Sequence, residues 1–291
     1  MMNQTDNISV VEQLMDDIIE KNPHSRDMLN AFRPIMMERI RLVEGLELKV
    51  AKPPKIDGRK LKAGVPVIRQ EMLFYHDDPW DEIALSMIPA IKRGFPDLQD
   101  DLDKLEALIK NGNINLFDCF KSYPDKGGGI IDHWATELKV GLPAIVFLIK
   151  SATRIVLEKR AKHIDWHGIE WKKGYCPICG TFPAIAMIKE KIACRWLHCS
   201  ACGYDWKFDR FICPYCEHEG HKEVSYFFIE GKEQESAFVC DTCKRYLVTL
   251  NRVSDLNIRE LDISAISLTH LDIIMQDKGF QPMATCEWNV F

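Results

Sequence analysis

Eight cysteines in four C-x2-C pairs constrain this chain more than any other feature. They are Cys176 and Cys179, Cys199 and Cys202, Cys213 and Cys216, and Cys240 and Cys243. Two intervening residues let a tight turn aim both sulfurs at one ion, and backbone N–H groups then point at sulfur. A hairpin can carry a second such turn over to complete a tetrahedron. Within each module the pairs are separated by 19 and 23 residues, close to the spacing of four-cysteine zinc sites. The pattern predicts two metal sites, Cys176/Cys179/Cys199/Cys202 and Cys213/Cys216/Cys240/Cys243. Local pairing is the easier arrangement, because exchanging ligands between modules closes longer loops. Buried free thiols would not explain the paired spacing, and a thioredoxin-like redox motif needs only one C-x2-C between a strand and a helix.

Four protein ligands favour a structural role, since a catalytic zinc keeps an open position for water. An all-sulfur donor set suits zinc or iron. The Cys-Pro-x-Cys-Gly turn, with Tyr175, Trp196, Tyr204 and Trp206 nearby, also resembles a rubredoxin knuckle. The expected cofactors are therefore two metal ions, zinc or iron, each in a four-cysteine site. Each ion can supply on the order of 10 kcal/mol of folding free energy. Ribbons of about 35 residues have too little core to fold without such help.

Other reactive residues carry weaker signals. His198, His218 and His221 lie beside the cysteines, but eight thiols already fill two sites, so they read as surrounding or surface groups. Cys119, Cys194 and Cys286 read as buried small hydrophobes. Asp77-Asp78 and Asp100-Asp101 read as solvated or dipole-complementing carboxylates, not acid/base pairs. Gly127-Gly128-Gly129 lacks the strand before it and the Lys-Ser/Thr after it that a phosphate loop needs. No nucleophile elbow, Walker loop or dinucleotide fingerprint is present, and no enzymatic activity is expected.

Of 291 residues, 46% are apolar and 28% charged, a globular balance. The net charge of −5 and the absence of a basic stripe argue against gripping nucleic acid. The N-terminus has no signal-peptide pattern, and the longest apolar run (141–149) is far below the roughly 20 residues that span a bilayer. A cytoplasmic location without membrane insertion is expected, where cysteines serve as ligands or buried thiols and not as disulfides.

Helical periodicity covers 8–22, 25–48 (with Pro34 in or near its first turns), 80–92, 97–110, 131–139 and 143–163. The Pro-, Gly- and Lys-rich stretch 52–66 reads as an irregular connection. Beyond Gly174 the texture turns to short β-prone runs. Residues 184–188 and 193–197 form one expected hairpin, 224–228 and 236–239 another, and 246–250 a further strand. A helix is expected over 264–278.

The block Cys176-Pro-Ile-Cys179-Gly, Trp196-Leu-His-Cys-Ser-Ala-Cys202 with Trp206, Cys213-Pro-Tyr-Cys216 and Cys240-Asp-Thr-Cys-Lys-Arg-Tyr246-Leu247 resembles the formate dehydrogenase accessory protein (FdhE) family. Leu261-Asp262, Leu271-Asp272, Lys278-Gly279-Phe280 and Asn289-Val290-Phe291 extend the resemblance to the end of the chain. Ile263-Ser-Ala-Ile-Ser departs from the family's acidic, small-residue stretch. The resemblance implies an α+β protein. Its expected parts are an all-α domain (1–170), two tandem rubredoxin-like or zinc-ribbon modules (171–210 and 211–253) and a C-terminal helix and tail (254–291). It also implies a non-enzymatic, cytoplasmic assembly factor that binds the catalytic subunit of a molybdenum- or tungsten-dependent formate dehydrogenase during maturation. Alternatives are a rubredoxin-like electron carrier and a zinc-ribbon nucleic-acid binder. A homodimer stays open. Trp196 and Arg195 are candidate partner contacts, although Trp196 and Trp206 fit the ribbons' own cores better.

Overall fold

A computed structural model describes residues 4–48, 56–121, 129–164, 170–189, 194–220, 222–253 and 260–290. Ten helices and seven strands lie among the described residues. The helices before the cysteines are α1 (Gln4–Lys21), α2 (Arg26–Gly45), α3 (Gly58–Lys62), α4 (Trp80–Gly94), α5 (Gln99–Lys110), α6 (Leu116–Lys121), α7 (Gly129–Leu138) and α8 (Leu142–Ala161). The strands are β1 (Ile185–Lys189), β2 (Arg195–His198), β3 (Asp205–Phe208), β4 (Val224–Phe228), β5 (Glu235–Cys240) and β6 (Arg245–Val253). Helices α9 (Leu261–Ser267) and α10 (Thr269–Asp277) follow, and β7 (Gln281–Pro282) closes the order. No described helix is long and apolar enough to cross a membrane.

Two compact units divide the chain. One takes residues 1–13, 30–54 and 72–164, the other 14–29, 55–71 and 165–291. In the first, α8 is apolar on most sides, with Ile145, Leu148, Ala152, Ile155 and Val156 all buried, as a helix enclosed by others must be. Phe32, Phe95 and Phe147 are in ring contact with one another, Phe32 stacked on Phe147 and edge-on to Phe95. Pro34 lies inside α2 and does not end it. Gly129 begins α7, and Gly127 and Gly128 lie outside the described residues.

Asp78 is the anchor of this unit. It is buried, and it accepts hydrogen bonds from Arg160 Nη1 (2.9 Å) and the Tyr75 N–H (2.8 Å). Arg160, also buried, donates to the Leu73 carbonyl (2.6 Å) and has its guanidinium over the Tyr75 ring. Asp100 and Asp101 occupy the first turn of α5, where a negative charge complements the helix dipole.

In the second unit, β1, β2 and β3 form an antiparallel ribbon, and so do β4, β5 and β6. The ribbons do not stand apart. β1 pairs in parallel with β6, Ile185 opposite Val248 and Met187 opposite Leu250, giving one sheet in the order β3-β2-β1-β6-β5-β4. β7 pairs with the opposite end of β6 through Arg245 and Tyr246. The expected helix 264–278 is broken at Leu268, giving α9 and α10. α9 contains the departing Ile263–Ser267 stretch and is buried throughout. The 52–66 connection includes α3, capped by the Asp57 side chain accepting from the Arg59 N–H.

Removing one partner of a buried ion pair leaves an uncompensated charge, at a cost of about 3–5 kcal/mol. Asp78→Ala is expected to destabilise the helical unit by that amount, and Asp78→Leu with Arg160→Met to recover most of it. Chemical denaturation followed by helical circular dichroism measures both. An Asp78→Ala chain as stable as the parent would refute the anchor.

Candidate metal centres

Each cluster is assembled by two turns of the same construction. The first turn precedes a ribbon (Cys176–Cys179, Cys213–Cys216) and the second joins its last two strands (Cys199–Cys202, Cys240–Cys243). The residue after each pair has positive φ: Gly180 (77°), Gly203 (73°), Glu217 (57°) and Lys244 (55°). A left-handed conformation at a non-glycine residue costs about 1–2 kcal/mol, so the second cluster holds its turns at a cost that the first avoids.

The structure brings together Cys176, Cys179, Cys199 and Cys202 in one group. Cys213, Cys216, Cys240 and Cys243 form the other, with all sulfurs of a group within 4.8 Å. Across the first cluster, Cys176–Cys202 and Cys179–Cys199 are each 3.4 Å apart. Across the second, Cys213–Cys243 is 3.7 Å and Cys216–Cys240 is 3.8 Å. Metal–sulfur bonds of about 2.3 Å put the corners of a tetrahedron about 3.8 Å apart. Both donor sets therefore fit a tetrahedral ion, the first a little compressed, and these distances are too long for disulfides.

Burial raises the Cys176 and Cys202 thiols well above the ordinary range. Hydrogen bonds from its three companions hold Cys179 well below it. In the second cluster burial pushes Cys213 up to about 12. Burial also acts to raise Cys240, but hydrogen bonds from the backbone N–H groups of Cys243 and Thr242 and from the Cys213 and Cys243 thiols together outweigh it and lower that thiol. A cation could satisfy all four sulfurs of such a set at once.

The two centres differ in access. Three of the first four cysteines are buried, whereas Cys216 is exposed and Cys243 half-exposed. Cover for the first comes from 64–68, which begins at the end of the 52–66 stretch that sequence patterning reads as a connection and runs just past it. The Val67 and Ile68 N–H groups donate to the Pro177 and Ile178 carbonyls (2.8 and 2.9 Å), and the Tyr175 hydroxyl donates to the Gly64 carbonyl (2.7 Å). Pro66 lies over Gly180, where a Cβ would meet its ring at 3.3 Å. The alternation of turn residues with Val65, Val67 and Ile68 is the only trace of this in the sequence.

His198 is buried between two carboxylates, Asp205 (2.6 Å from Nδ1) and Asp262 of α9 (3.0 Å from Nε2). Burial disfavours its charged form, but the Asp262 charge and both hydrogen bonds outweigh that and raise it to about 10. His218 pairs with Glu223 at 3.3 Å, and His221 lies outside the described residues. Cys286 is buried 3.2 Å from Ser200, Cys194 is half-buried, and the Cys119 side chain is outside the described ones.

Arg195 corrects an expectation. It is fully buried, not a surface contact, with its guanidinium over Phe208 (5.3 Å) and Phe238 (4.9 Å) and donating to the Asp209 and Ile212 carbonyls. It pins the first ribbon to the second. Trp206 is buried and donates to the Lys173 carbonyl (3.1 Å), while Trp196 is half-buried.

Two outcomes are expected. With metal loaded, a chelator should release it in two phases, the faster absent from a Cys216→Ser chain; one phase, or a fast phase that survives the substitution, would contradict the difference in access. For His198, a raised value means stabilisation fully present below its unfolded value near 6.5 and lost as pH rises towards about 10. Denaturation midpoints measured across that window should slope downward in the parent and flatten in His198→Gln.

Residues 175–210 match the family model described as FdhE, central domain. A protein FdhE homolog of Aquifex aeolicus (strain VF5) is 22% identical over 266 residues, covering 90% of this chain and 88% of that protein. One of Stutzerimonas stutzeri (strain A1501) is 25% identical over 261 residues, covering 79% and 82%. The crystal structure of the FdhE protein from Pseudomonas aeruginosa superposes with a TM-score of 0.61 at 20% identity, covering 95% of this chain and 93% of that one.

Proposed function

Since the chain belongs to an FdhE-like family, we propose that it is a non-enzymatic accessory protein of formate dehydrogenase, binding the catalytic subunit of a molybdenum- or tungsten-dependent enzyme and supporting its maturation in the cytoplasm. The observation that carries this reading is the pair of closed four-thiolate clusters on one sheet. The eight cysteines are the proposed ligands of two ions, zinc or iron. Four protein sulfurs leave no position for water or substrate, which favours a rigid binding platform over metal catalysis. With metal bound, each ion would clamp two turns together at one end of its ribbon, where Cys176, Cys199, Cys202, Cys213 and Cys240 are buried.

A rubredoxin-like electron carrier is the second reading, and the exposure of Cys216 is what favours it. Iron there would sit close to solvent, within reach of a redox partner.

Affinity capture of the tagged chain from its own cells, grown on formate, tests the proposal. A formate dehydrogenase catalytic subunit in the eluate, with two metal ions per chain, is the expected result. Redox proteins with iron that bleaches reversibly would favour the carrier. Nucleic acid, or no such subunit under any growth condition, would overturn the accessory reading.

A further inference from the structure

Strand β3 ends the sheet, and among the described residues no strand pairs with its outer edge. The Cys199 N–H donates to the Tyr204 carbonyl (3.1 Å), which sets the alternation of the β2–β3 ladder. Leu197 opposite Trp206 and Arg195 opposite Phe208 are then the hydrogen-bonded pairs. The main-chain N–H and C=O groups of Asp205 and Lys207 face outward. A groove of about 700 Å3 follows this edge, lined by the whole strand together with Trp171, Lys172, Trp196 and Ile212.

The Trp196 face beside the groove carries two lysines. Lys189 and Lys207 place their ammonium groups 4.2 and 5.2 Å from the centre of the Trp196 ring. Neither pairs with a carboxylate among the described residues. The three acids that line the groove each have a cation beside them: Asp205 has His198, Glu170 has Lys172 (3.4 Å), and Asp209 has the Arg195 guanidinium. The Trp196 indole N–H is buried with no acceptor among the described residues. Phe211, 47% exposed, adds apolar surface close by in sequence.

We propose that the free edge of β3, with the Lys189–Trp196–Lys207 cluster beside it, docks an extended, acidic segment of a partner protein as an added strand. Main-chain bonds to Asp205 and Lys207 would supply register, and carboxylates meeting the two lysines would supply selectivity. A lysine in the middle of an edge also repels a like edge, which disfavours pairing of β3 with β3 of a second copy. This inference rests on the accessory-protein reading and names the surface through which it would operate.

The test uses the full, metal-loaded chain and the formate dehydrogenase catalytic subunit purified from the same cells. Lys207→Pro removes an outward N–H that β2 does not use, so the sheet should tolerate it. Lys189→Glu with Lys207→Glu reverses the charge and leaves the backbone intact. Each is expected to weaken binding by about tenfold or more, with metal content and circular dichroism unchanged. In the parent complex the Asp205 and Lys207 amides should gain protection from hydrogen exchange. A charge-reversed chain that binds like the parent, or those amides exchanging as freely in the complex as alone, would overturn the proposal while leaving the accessory reading in place. Binding of RNA in place of the subunit would overturn it too. A parent chain that does not retain the subunit would sink the accessory reading itself.

Discussion

Four sulfurs gathered within 4.8 Å in a largely dry site repel one another as thiolates and cannot all hydrogen-bond as thiols. A cation could answer that conflict in either cluster, and the geometry of the sheet unit is built around the two sets. Each set joins two turns that are distant along the chain, so whatever binds the sulfurs also closes the ribbon between them. The free energy of binding is folding free energy in such a site. Short ribbons have little core of their own, so tying such turns together would add to their stability.

The two ribbons are then made into one object. The β1–β6 pairing is parallel, and parallel neighbours need a long crossover; here the crossover is most of both modules. Arg195 reinforces the joint from beneath, one guanidinium spanning Phe208 of the first ribbon and Phe238 of the second. Tyr246, at the start of β6, donates from its hydroxyl to Asp272 of α10 (2.7 Å), and His198 ties β2 to α9 through Asp262. Disturbance of one cluster therefore reaches the strands of the other through backbone hydrogen bonds.

A platform of this kind has an inside committed to cohesion and an edge left over. The centre of the sheet is occupied by β6, paired on both sides, whereas β3 and β4 terminate it. The edge at β3 combines unpaired main chain, aromatic surface and two lysines that meet no carboxylate among the described residues. In an accessory protein such an edge can read a client segment without any reactive group. The more exposed second cluster lies with the other ribbon, whose own outer strand is β4.

The sequence by itself determined the two four-cysteine sets, their grouping within modules, the hairpins between them and most of the helices. Those are local facts: C-x2-C spacing, glycine at left-handed positions and 3.6-residue periodicity act over a few residues or one hairpin. Tertiary structure decided what depends on surfaces meeting. The fusion of two ribbons through β1 and β6 is decided by backbone pairing across some 60 residues, which no periodicity announces. The covering of the first cluster by Val67 and Ile68 comes from two apolar residues just past a stretch whose prolines and lysines look like a linker. Arg195 reads as a surface cation and is buried, because aromatic faces and two carbonyls happen to converge on its guanidinium. Asp78 reads as a solvated carboxylate and is buried, because Arg160 reaches it from 82 positions away. Charge is legible in a sequence, but whether a charge meets water or a partner is settled only when distant elements pack.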